Sequence, residues 1–149
     1  AASDYKIDLI CCGEGKPLAD KEAYAKDGIH LLGYKDKNEL GPIYANSDLF
    51  VFPSATDTLG QVVMEAMASA LPVMVSDKGG PKTLIAHGKE GLVLPVKEHI
   101  WVTAAKRLLE NPGLPKQMGM QGRQTMTGHC FMQTYEHFKK LNKEVLQHF

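Results

Sequence analysis

The chain has 149 residues, of which 44% are hydrophobic and 23% charged, and its 17 basic side chains balance its 17 acidic ones. This composition predicts one compact domain, residues 1–149, without the charged surface of a nucleic-acid or membrane binder. No segment approaches the roughly 20 apolar residues of a transmembrane helix, and residues 1–4 lack the charge and apolar stretch of a secretion signal. We therefore expect a cytoplasmic protein with small or neutral partners and no nucleic acid.

Short apolar runs alternate with amphipathic stretches along the first two thirds of the chain. Regular alternation of this kind predicts right-handed strand–helix–strand units, and hence one parallel sheet covered by helices on both sides. The predicted strands are residues 7–12, 29–32, 48–52, 73–76 and 91–94.

The helices between and after these strands have recognisable signals. Asp36 and Glu39 have the spacing of a capping box, and Pro42 predicts that the helix they start begins late or kinks. From Lys97 onward the pattern is helical throughout. Two breaks in it predict three consecutive helices, the last over residues 131–149.

The first predicted strand runs into Gly13-Glu14-Gly15, which is half of a dinucleotide-binding fingerprint. Leu18 occupies the position of the third glycine, and the second strand ends without an acid. We therefore do not expect a nicotinamide cofactor.

The cysteine and histidine residues form no pattern typical of a metal site. Cys11, Cys12 and Cys130 are odd in number and lack ligand spacing, so we expect reduced, mostly buried thiols. The six histidines include no His-x-x-x-His pair. The sequence thus predicts no metal and no cofactor.

A polar loop and an amphipathic helix follow the third predicted strand. Ligands bind beyond the carboxyl ends of parallel strands, and Asp57 lies in such a strand-to-helix loop. We expect free N–H groups at Leu59, Gly60 and Gln61 to face a phosphate or sugar hydroxyl, with Gly60 allowing close approach. Glu65 is predicted to face away from the core, able to accept hydrogen bonds from ribose hydroxyls. The predicted apolar stripe of this helix is Leu59, Val62, Val63, Ala66, Met67 and Ala70.

A purely structural interpretation of the same loop stands beside this one. Thr58 and Gln61 have the spacing of a capping box, and an acid near a helix start is favourable without any ligand.

The segment resembles the acidic motif of the retaining glycosyltransferases of family four, which have the GT-B architecture. In that family a first acid, seven residues and a second glutamate precede Ala-Met-Ala and, after a short gap, Pro-Val. Further stretches are similar in the same order, at residues 9–15, 29–34, 43–48, 75–81 and 88–93. The residues that match the acidic motif are Asp57, Glu65, Ala66, Met67, Ala68, Pro72 and Val73.

The resemblance implies roles for individual residues. It makes Asp57 the catalytic acid that contacts hydroxyls of the donor sugar, and Glu65 the ligand of the nucleotide ribose. It also implies that Gly13 and Gly15 line the donor cleft, with a plain tight turn as a nearly equal alternative, and that Tyr34 lies in the loop near the base. The predicted donor-binding residues are Gly13, Gly15, Tyr34, Leu59, Gly60, Gln61 and Glu65.

Three positions depart from the family pattern. Asp57 is one methylene shorter than the usual glutamate, which leaves the donor sugar open. Ala70 stands where the family usually has glycine, and we expect an effect on helix packing only. Thr83 replaces a common glutamate.

The resemblance implies an α/β, Rossmann-like fold, with a parallel sheet flanked by helices and a helical C-terminal tail. This is the C-terminal, donor-binding half of a GT-B protein. The acceptor-binding N-terminal domain and an initial basic loop would be absent from this chain, so we expect the fragment alone to be inactive. The parent would transfer a sugar from a nucleotide-sugar to an acceptor hydroxyl with retention, without a metal, and peripheral membrane contact by it stays open.

Two other classes of function remain alternatives. One is an enzyme of the same architecture, a nucleotide-sugar epimerase or a glycan phosphorylase, although no lysine motif for pyridoxal phosphate is visible. The other is a non-catalytic nucleotide- or partner-binding module, which the departures at Asp57, Ala70 and Thr83 favour mildly.

Overall fold

The computed structural model describes residues 6–14, 21–128 and 139–140. The chain divides into two compact units, Ala1–Ile43 and Tyr44–Phe149. Gly15, Cys130 and most of the predicted helix at residues 131–149 lie outside the described residues.

The first unit contains two parallel strands, β1 (Leu9–Cys12) and β2 (Ile29–Gly33). Leu9 pairs with Ile29, and the register shifts between Cys11 and Cys12 at the end of β1. Cys11 and Cys12 are free, as expected, but the prediction of mostly buried thiols is wrong for Cys12, which is exposed where the strand leaves its register. The elements are β1 (Leu9–Cys12), α1 (Lys21–Lys26), β2 (Ile29–Gly33) and the start of α2 (Lys37–Ala45).

The capping box predicted for α2 is confirmed. The Asp36 carboxylate accepts the N–H groups of Asn38 and Glu39 at 2.8 and 2.9 Å, and the Glu39 carboxylate accepts the N–H of Asp36 at 3.0 Å. The helix starts at Lys37 and continues through Pro42, so the expected late start is wrong. The reciprocal cap satisfies the first-turn donors, and the first turn forms well before the proline.

The second unit contains a parallel sheet of β3 (Phe50–Phe52), β4 (Val73–Ser76) and β5 (Gly91–Leu94), in the order β3-β4-β5. Phe50 of β3 pairs with Val73 of β4, which pairs with Gly91 of β5. All four residues of the central strand β4 are buried, as a continuous apolar run predicts for such a strand. The elements are β3 (Phe50–Phe52), α3 (Gln61–Ala68), β4 (Val73–Ser76), a 3₁₀ helix (Pro81–Leu84), β5 (Gly91–Leu94), α4 (Glu98–Glu110) and α5 (Gly113–Thr127).

The α/β prediction with parallel pairing is confirmed, and each predicted strand forms at its predicted place. The described strands are hydrogen-bonded as two sheets, however, where the sequence predicts one. An apolar run predicts that a strand is buried, but the partner with which it pairs is a tertiary property that the run does not encode.

The core of the second unit joins its sheet to the last two described helices. Met74 of β4 and Leu94 of β5 pack with Leu108 of α4 and Met118 of α5. Helix α5 also packs against α3. A side chain at Gly119 of α5 would collide with the carbonyl of Ala70, which explains the glycine at this crossing. No helix among the described residues is long and apolar enough to cross a membrane.

Candidate functional site

The loop between β3 and α3 is held by the Asp57 side chain. Its Oδ1 accepts the N–H of Leu59 at 3.0 Å and that of Gly60 at 2.5 Å. The expectation of free N–H groups at Leu59 and Gly60 is therefore wrong, because a short acidic side chain readily hydrogen-bonds to the backbone two or three residues ahead. Of the three amides that the sequence predicted to face a ligand, Gln61 is the one that opens α3, and its side chain is exposed.

The loop's own geometry also rules out the capping box considered for Thr58 and Gln61. The residue before the first turn of α3 is Gly60, which has no side chain with which to cap the helix. Leu59 belongs to the predicted apolar stripe, but the residue is 52% exposed because it precedes the helix. The predicted stripe is confirmed for its buried members Val63, Ala66 and Met67.

Gly60 is required by both its backbone and its neighbour. Its φ of 73° lies in the left-handed region, which glycine adopts without steric cost. A Cβ at this position would lie 2.8 Å from Cγ of Pro81. Gly60 is buried, and in this structure its missing side chain admits Pro81 where the sequence predicted the approach of a ligand.

Gly79 and Gly80, which follow β4, pack against the backbone of the Asp57 loop. The N–H of Gly80 donates to the carbonyl of Asp57 at 2.9 Å. A Cβ at Gly79 would lie 2.6 Å from the same carbonyl oxygen, and one at Gly80 would collide with the carbonyl of Thr58. Gly79, Gly80 and Pro81 lie within the stretch 75–81 that resembles the family, and a Gly-Gly-Pro turn after a buried strand is the sequence signal for this contact.

Glu65 lies on the fifth residue of α3, beside the buried stripe, and is half-buried. Its Oε2 accepts a hydrogen bond from the hydroxyl of Tyr44 at 3.2 Å. Tyr44 itself is buried, with 8% of its surface exposed. Sequence reasoning did not single out Tyr44, because no local pattern connects it to an acid 21 positions away.

Another carboxylate that sequence reasoning missed follows β4. Asp77 Oδ1 is buried and has no hydrogen-bond partner within the part of the chain that the structure describes. The ammonium of Lys82 donates to the Asp77 carbonyl at 3.1 Å. Lys82 comes directly after Pro81, which packs against Gly60, so a cation lies in the 3₁₀ helix that follows the glycine pair.

The remaining predicted residues belong to the first unit. Gly13 follows β1 with φ 134°, and its N–H donates to the carbonyl of Gly33 at 2.9 Å. A Cβ at Gly13 would meet no atom of the described residues within 4 Å. Tyr34 follows β2 with 69% of its surface exposed. Gly13 and Tyr34 thus lie after the ends of paired parallel strands, at the edge where such sheets bind ligands.

The ionisable groups beside Tyr34 are engaged with one another. Lys35 Nζ lies 2.8 Å from Glu39 Oε1, and this hydrogen bond raises the pKa of Lys35 and lowers that of Glu39. Partial desolvation raises the pKa of the Cys12 thiol, even though most of the residue is exposed. No group of three or more acidic, histidine or cysteine side chains that could hold a metal occurs within residues 6–14, 21–128 and 139–140.

The chain matches a known protein family over most of its length. Residues 1–125 match the family model described as Glycosyl transferases group 1. Over 97 residues the chain is 37% identical to a GDP-mannose-dependent alpha-mannosyltransferase from Mycobacterium tuberculosis (strain CDC 1551 / Oshkosh), an alignment that covers 65% of this chain and 25% of that protein. The chain spans about a quarter of the length of the curated relatives it matches.

Solved structures show the same fold. Sucrose-phosphate synthase from Thermosynechococcus elongatus superposes with a TM-score of 0.79 at 21% identity, over 95% of this chain and 39% of that one. The Anabaena protein HepE in complex with UDP superposes with a TM-score of 0.74 at 18% identity, over 96% and 41% of the two chains. These likenesses confirm the Rossmann-like α/β architecture expected from the resemblance.

Proposed function

The chain belongs to the glycosyl transferases group 1 family, and from this premise we propose that it is the donor-binding part of an enzyme that transfers a sugar from a nucleotide-sugar. The acceptor in this proposal is a hydroxyl group, and the anomeric configuration is retained. The observation that carries the proposal is the position of Glu65 on α3, the helix that follows the Asp57 turn. Its carboxylate is half-buried and accepts a hydrogen bond from the Tyr44 hydroxyl.

Glu65 has the chemistry that the ribose of a nucleotide needs. A carboxylate offers about four acceptor sites on two oxygens, so it can accept the Tyr44 hydroxyl and ribose hydroxyls at the same time. The side chains of a helix lean toward its N-terminal end, which directs Glu65 toward the turn at Gly60. In the proposal, the ribose therefore lies on the same side of α3 as the phosphates.

The start of α3 is proposed to bind the donor phosphates. Backbone N–H groups and the helix dipole favour an anion at a helix N-terminus. Because Asp57 already accepts the N–H groups of Leu59 and Gly60, the donor phosphate depends on the first turn of α3 itself, beginning with Gln61. The donor contacts expected of Gly13, Gly15 and Tyr34 stay predictions.

Asp57 is proposed to contact the donor sugar with the carboxylate oxygen that does not hold the turn. Its Oδ1 is engaged with two backbone amides, and its Oδ2 is the atom assigned to a sugar hydroxyl. The transferred sugar then passes through a state with oxocarbenium character, while the helix N-terminus and basic side chains stabilise the leaving diphosphate. The proposal includes no metal or organic cofactor.

Relatives support the substrate class. A mannosyltransferase relative is named for its dependence on GDP-mannose, and HepE has been solved with UDP. Because this chain spans only about a quarter of the length of the curated relatives it matches, we propose that an acceptor-binding domain and a basic loop complete the active site, and that this chain alone binds donor without transferring it. The cytoplasmic localisation expected from the sequence stays a prediction.

A nuclear magnetic resonance titration tests the proposal. Adding UDP, GDP or ADP to the labelled chain should shift the amides of Gly60 and Gln61, and the nucleotide that binds most tightly identifies the base. Glu65→Ala should weaken its binding about 10- to 100-fold, since a hydrogen bond to a charged group contributes about 1.5–3 kcal/mol. Glu98→Ala, which removes an exposed acid from the first turn of α4, is the matched control and should leave affinity unchanged. Unchanged spectra with all three nucleotides would refute donor binding.

One observation favours a non-catalytic binding module as the second candidate. The only acid in the β3–α3 loop is Asp57, and one oxygen of its carboxylate is used to hold the chain's own backbone. A binding module would take the free nucleoside diphosphate as tightly as the nucleotide-sugar, whereas a transferase should distinguish sugars attached to the same nucleotide. Comparing the affinities for a nucleoside diphosphate and for several of its sugar conjugates separates the two.

A further inference from the structure

We infer that Tyr44 is a positioning residue, which holds the Glu65 carboxylate in the orientation that accepts the two ribose hydroxyls of a nucleotide. This assignment rests on the proposed function. Tyr44 lies near the end of α2, in the second unit, and its hydroxyl donates to Glu65 Oε2 at 3.2 Å across 21 positions of sequence. Tyr44 thus donates a hydrogen bond to Glu65, the residue that is proposed to bind the ribose.

The tyrosine ring is fixed more firmly than the glutamate that it contacts. Tyr44 is 8% exposed, and its ring packs edge-to-face on Phe50 with centroids 5.9 Å apart and planes at 69°. Phe50 in turn stacks on Phe52 with centroids 6.1 Å apart. Two torsions determine the position of a tyrosine hydroxyl, and burial against β3 restricts both.

Glu65, in contrast, is only half-buried, and its longer side chain has more rotamer freedom to lose. A glutamate that is free to rotate loses side-chain entropy when it binds a ligand. A fixed donor at Oε2 removes part of this loss before the ligand arrives, because folding has already selected the rotamer. The remaining acceptor positions of the carboxylate then serve the ribose diol, which presents two adjacent hydroxyl donors.

The competing explanation is that Glu65 merely satisfies a buried tyrosine hydroxyl. In that case removal of the hydroxyl would change the stability of the domain but would not discriminate between ligands that have and lack ribose hydroxyls. A positioning role predicts the opposite, namely a loss of affinity confined to ligands that contact Glu65. The ribose itself is therefore the probe.

The experiment uses Tyr44→Phe, which keeps the ring against Phe50 and removes only the O–H group. The affinity of this chain is measured for the nucleoside diphosphate that it binds best and for the 2′,3′-dideoxy form of the same nucleotide. We expect Tyr44→Phe to weaken ribonucleotide binding about three- to tenfold, as the loss of one hydrogen bond would, and to leave dideoxynucleotide binding unchanged. In a Glu65→Ala background, Tyr44→Phe should have no further effect on either ligand.

A matched control and a second measurement complete the test. Tyr24→Phe makes the same chemical change in α1 and should alter neither affinity. If Tyr44→Phe does not fold, the wild-type chain bound to the ribonucleotide is examined directly, and the Tyr44–Glu65 hydrogen bond should persist while the ribose is bound.

The outcomes separate the inference from the proposed function. Equal ribonucleotide affinity for Tyr44→Phe and wild type overturns the inference, as does an equal loss for both ligands, or a Glu65 that leaves Tyr44 to reach the nucleotide. In each of these cases Glu65→Ala still weakens binding, so the proposed function stands. A wild-type chain that binds no nucleotide overturns both.

Discussion

Helix α3 begins and ends beside a residue with a left-handed backbone, but the chain uses different residue types at the two ends. Gly60, before the first turn, has φ 73°, and Ala70, after the last, has φ 61°. Glycine adopts this conformation freely, whereas the alanine Cβ crowds the following carbonyl. The end that carries the candidate site is therefore relaxed, and the opposite end is strained.

The two ends are held by different interactions. At the start, the Asp57 side chain accepts two backbone amides. At the end, the N–H of Leu71 donates to Ala66 and that of Ala70 to Met67, both at 3.0 Å, in the pattern of a Schellman motif. This motif needs a left-handed residue at the position of Ala70. The expectation that Ala70 affects helix packing only is thus wrong, because the position determines backbone strain as well.

The comparison shows that strain persists where the surroundings overdetermine the backbone. Gly119 of α5 lies against the Ala70 carbonyl, and Leu71 is buried, with 4% of its surface exposed. These contacts hold Ala70 in its unfavourable conformation. The start of α3 has no such strain, so its loop owes its shape to hydrogen bonds that single substitutions can remove.

The largest effect is expected from Gly60→Ala. This substitution would strain the backbone at the start of α3, as Ala70 does after its end, and it would also bring a side chain against Pro81. A Cβ would combine the left-handed backbone with a contact 2.8 Å from Pro81. We expect a loss of about 2–4 kcal/mol in the free energy of unfolding, measured by urea denaturation. Gly41→Ala is the control, since in the middle of α2 its Cβ would meet no atom of the described residues within 4 Å. Equal effects of the two substitutions would contradict this account.

Asp57→Ala should have the next largest effect, because it removes the acceptor of two amides at the start of α3. We expect a loss of about 1–2 kcal/mol, as for other side chains that cap helices. Asp57→Asn keeps an oxygen at Oδ1 and should retain most of this stability. If Asp57 also contacts the donor sugar, Asp57→Asn should weaken nucleotide-sugar binding while the melting temperature stays close to that of the wild type. A melting temperature as low as that of Asp57→Ala would show that the charge, and not the acceptor, holds the turn.

Ala70→Gly should relax the strained end and stabilise the domain by about 1 kcal/mol. The gain is smaller than the full strain, because glycine also increases the entropy of the unfolded chain. Ala68→Gly places the same change at an exposed position in the last turn of α3, where it should destabilise the domain by about 0.5–1 kcal/mol. Thermal unfolding of both variants checks the opposite signs. A destabilising Ala70→Gly would mean that Ala70 is not strained in solution.

The smallest effect is expected from Glu90, which accepts a hydrogen bond from α5, the helix that packs against α3. Glu90 is 4% exposed, and its carboxylate accepts the N–H of Ala86 at 2.9 Å and the hydroxyl of Thr125 at 3.1 Å. Burial raises the pKa of Glu90, but these hydrogen bonds outweigh it, so the net pKa is lowered from 4.5. A lowered folded-state pKa stabilises the protein above the unfolded-state pKa, and this contribution is lost as the pH falls through the folded-state value. The free energy of unfolding of the wild type should therefore fall more steeply below about pH 4.5 than that of Glu90→Gln. Acid denaturation of both proteins measures this, and parallel curves of stability against pH would contradict a lowered pKa for Glu90.

Much of the fold could be predicted from local patterns. Each strand forms where an apolar run predicts it, and the capping box of Asp36 and Glu39 forms as its spacing indicates. The buried face of α3 also follows from periodicity, because one face of a helix recurs every three to four residues. The placement of Glu65 off this face agrees with the same rule.

The arrangement of the candidate site could be predicted only in part. The sequence identified Asp57 and Glu65, but it missed that Asp57 folds back onto its own loop and that Tyr44 contacts Glu65. The first depends on a choice between ligand and backbone that a single residue type leaves open. The second joins two helices, and no periodic pattern within either helix reports it.

Strands β1 and β4 show the difference between what the sequence determined and what only the tertiary structure decided. Sequence alone determined that β1 and β4 are strands, since both are short apolar runs. Only the tertiary structure decided that β4 lies between two partners with every residue buried, while Leu9 and Ile10 of β1 remain 46% and 44% exposed. The same division holds for the candidate site, where the sequence supplied the acids and long-range contacts from Tyr44 and Gly80 set the conformation around them. Local propensity acts over a few residues, whereas burial and long-range hydrogen bonds exist only once distant segments have packed together.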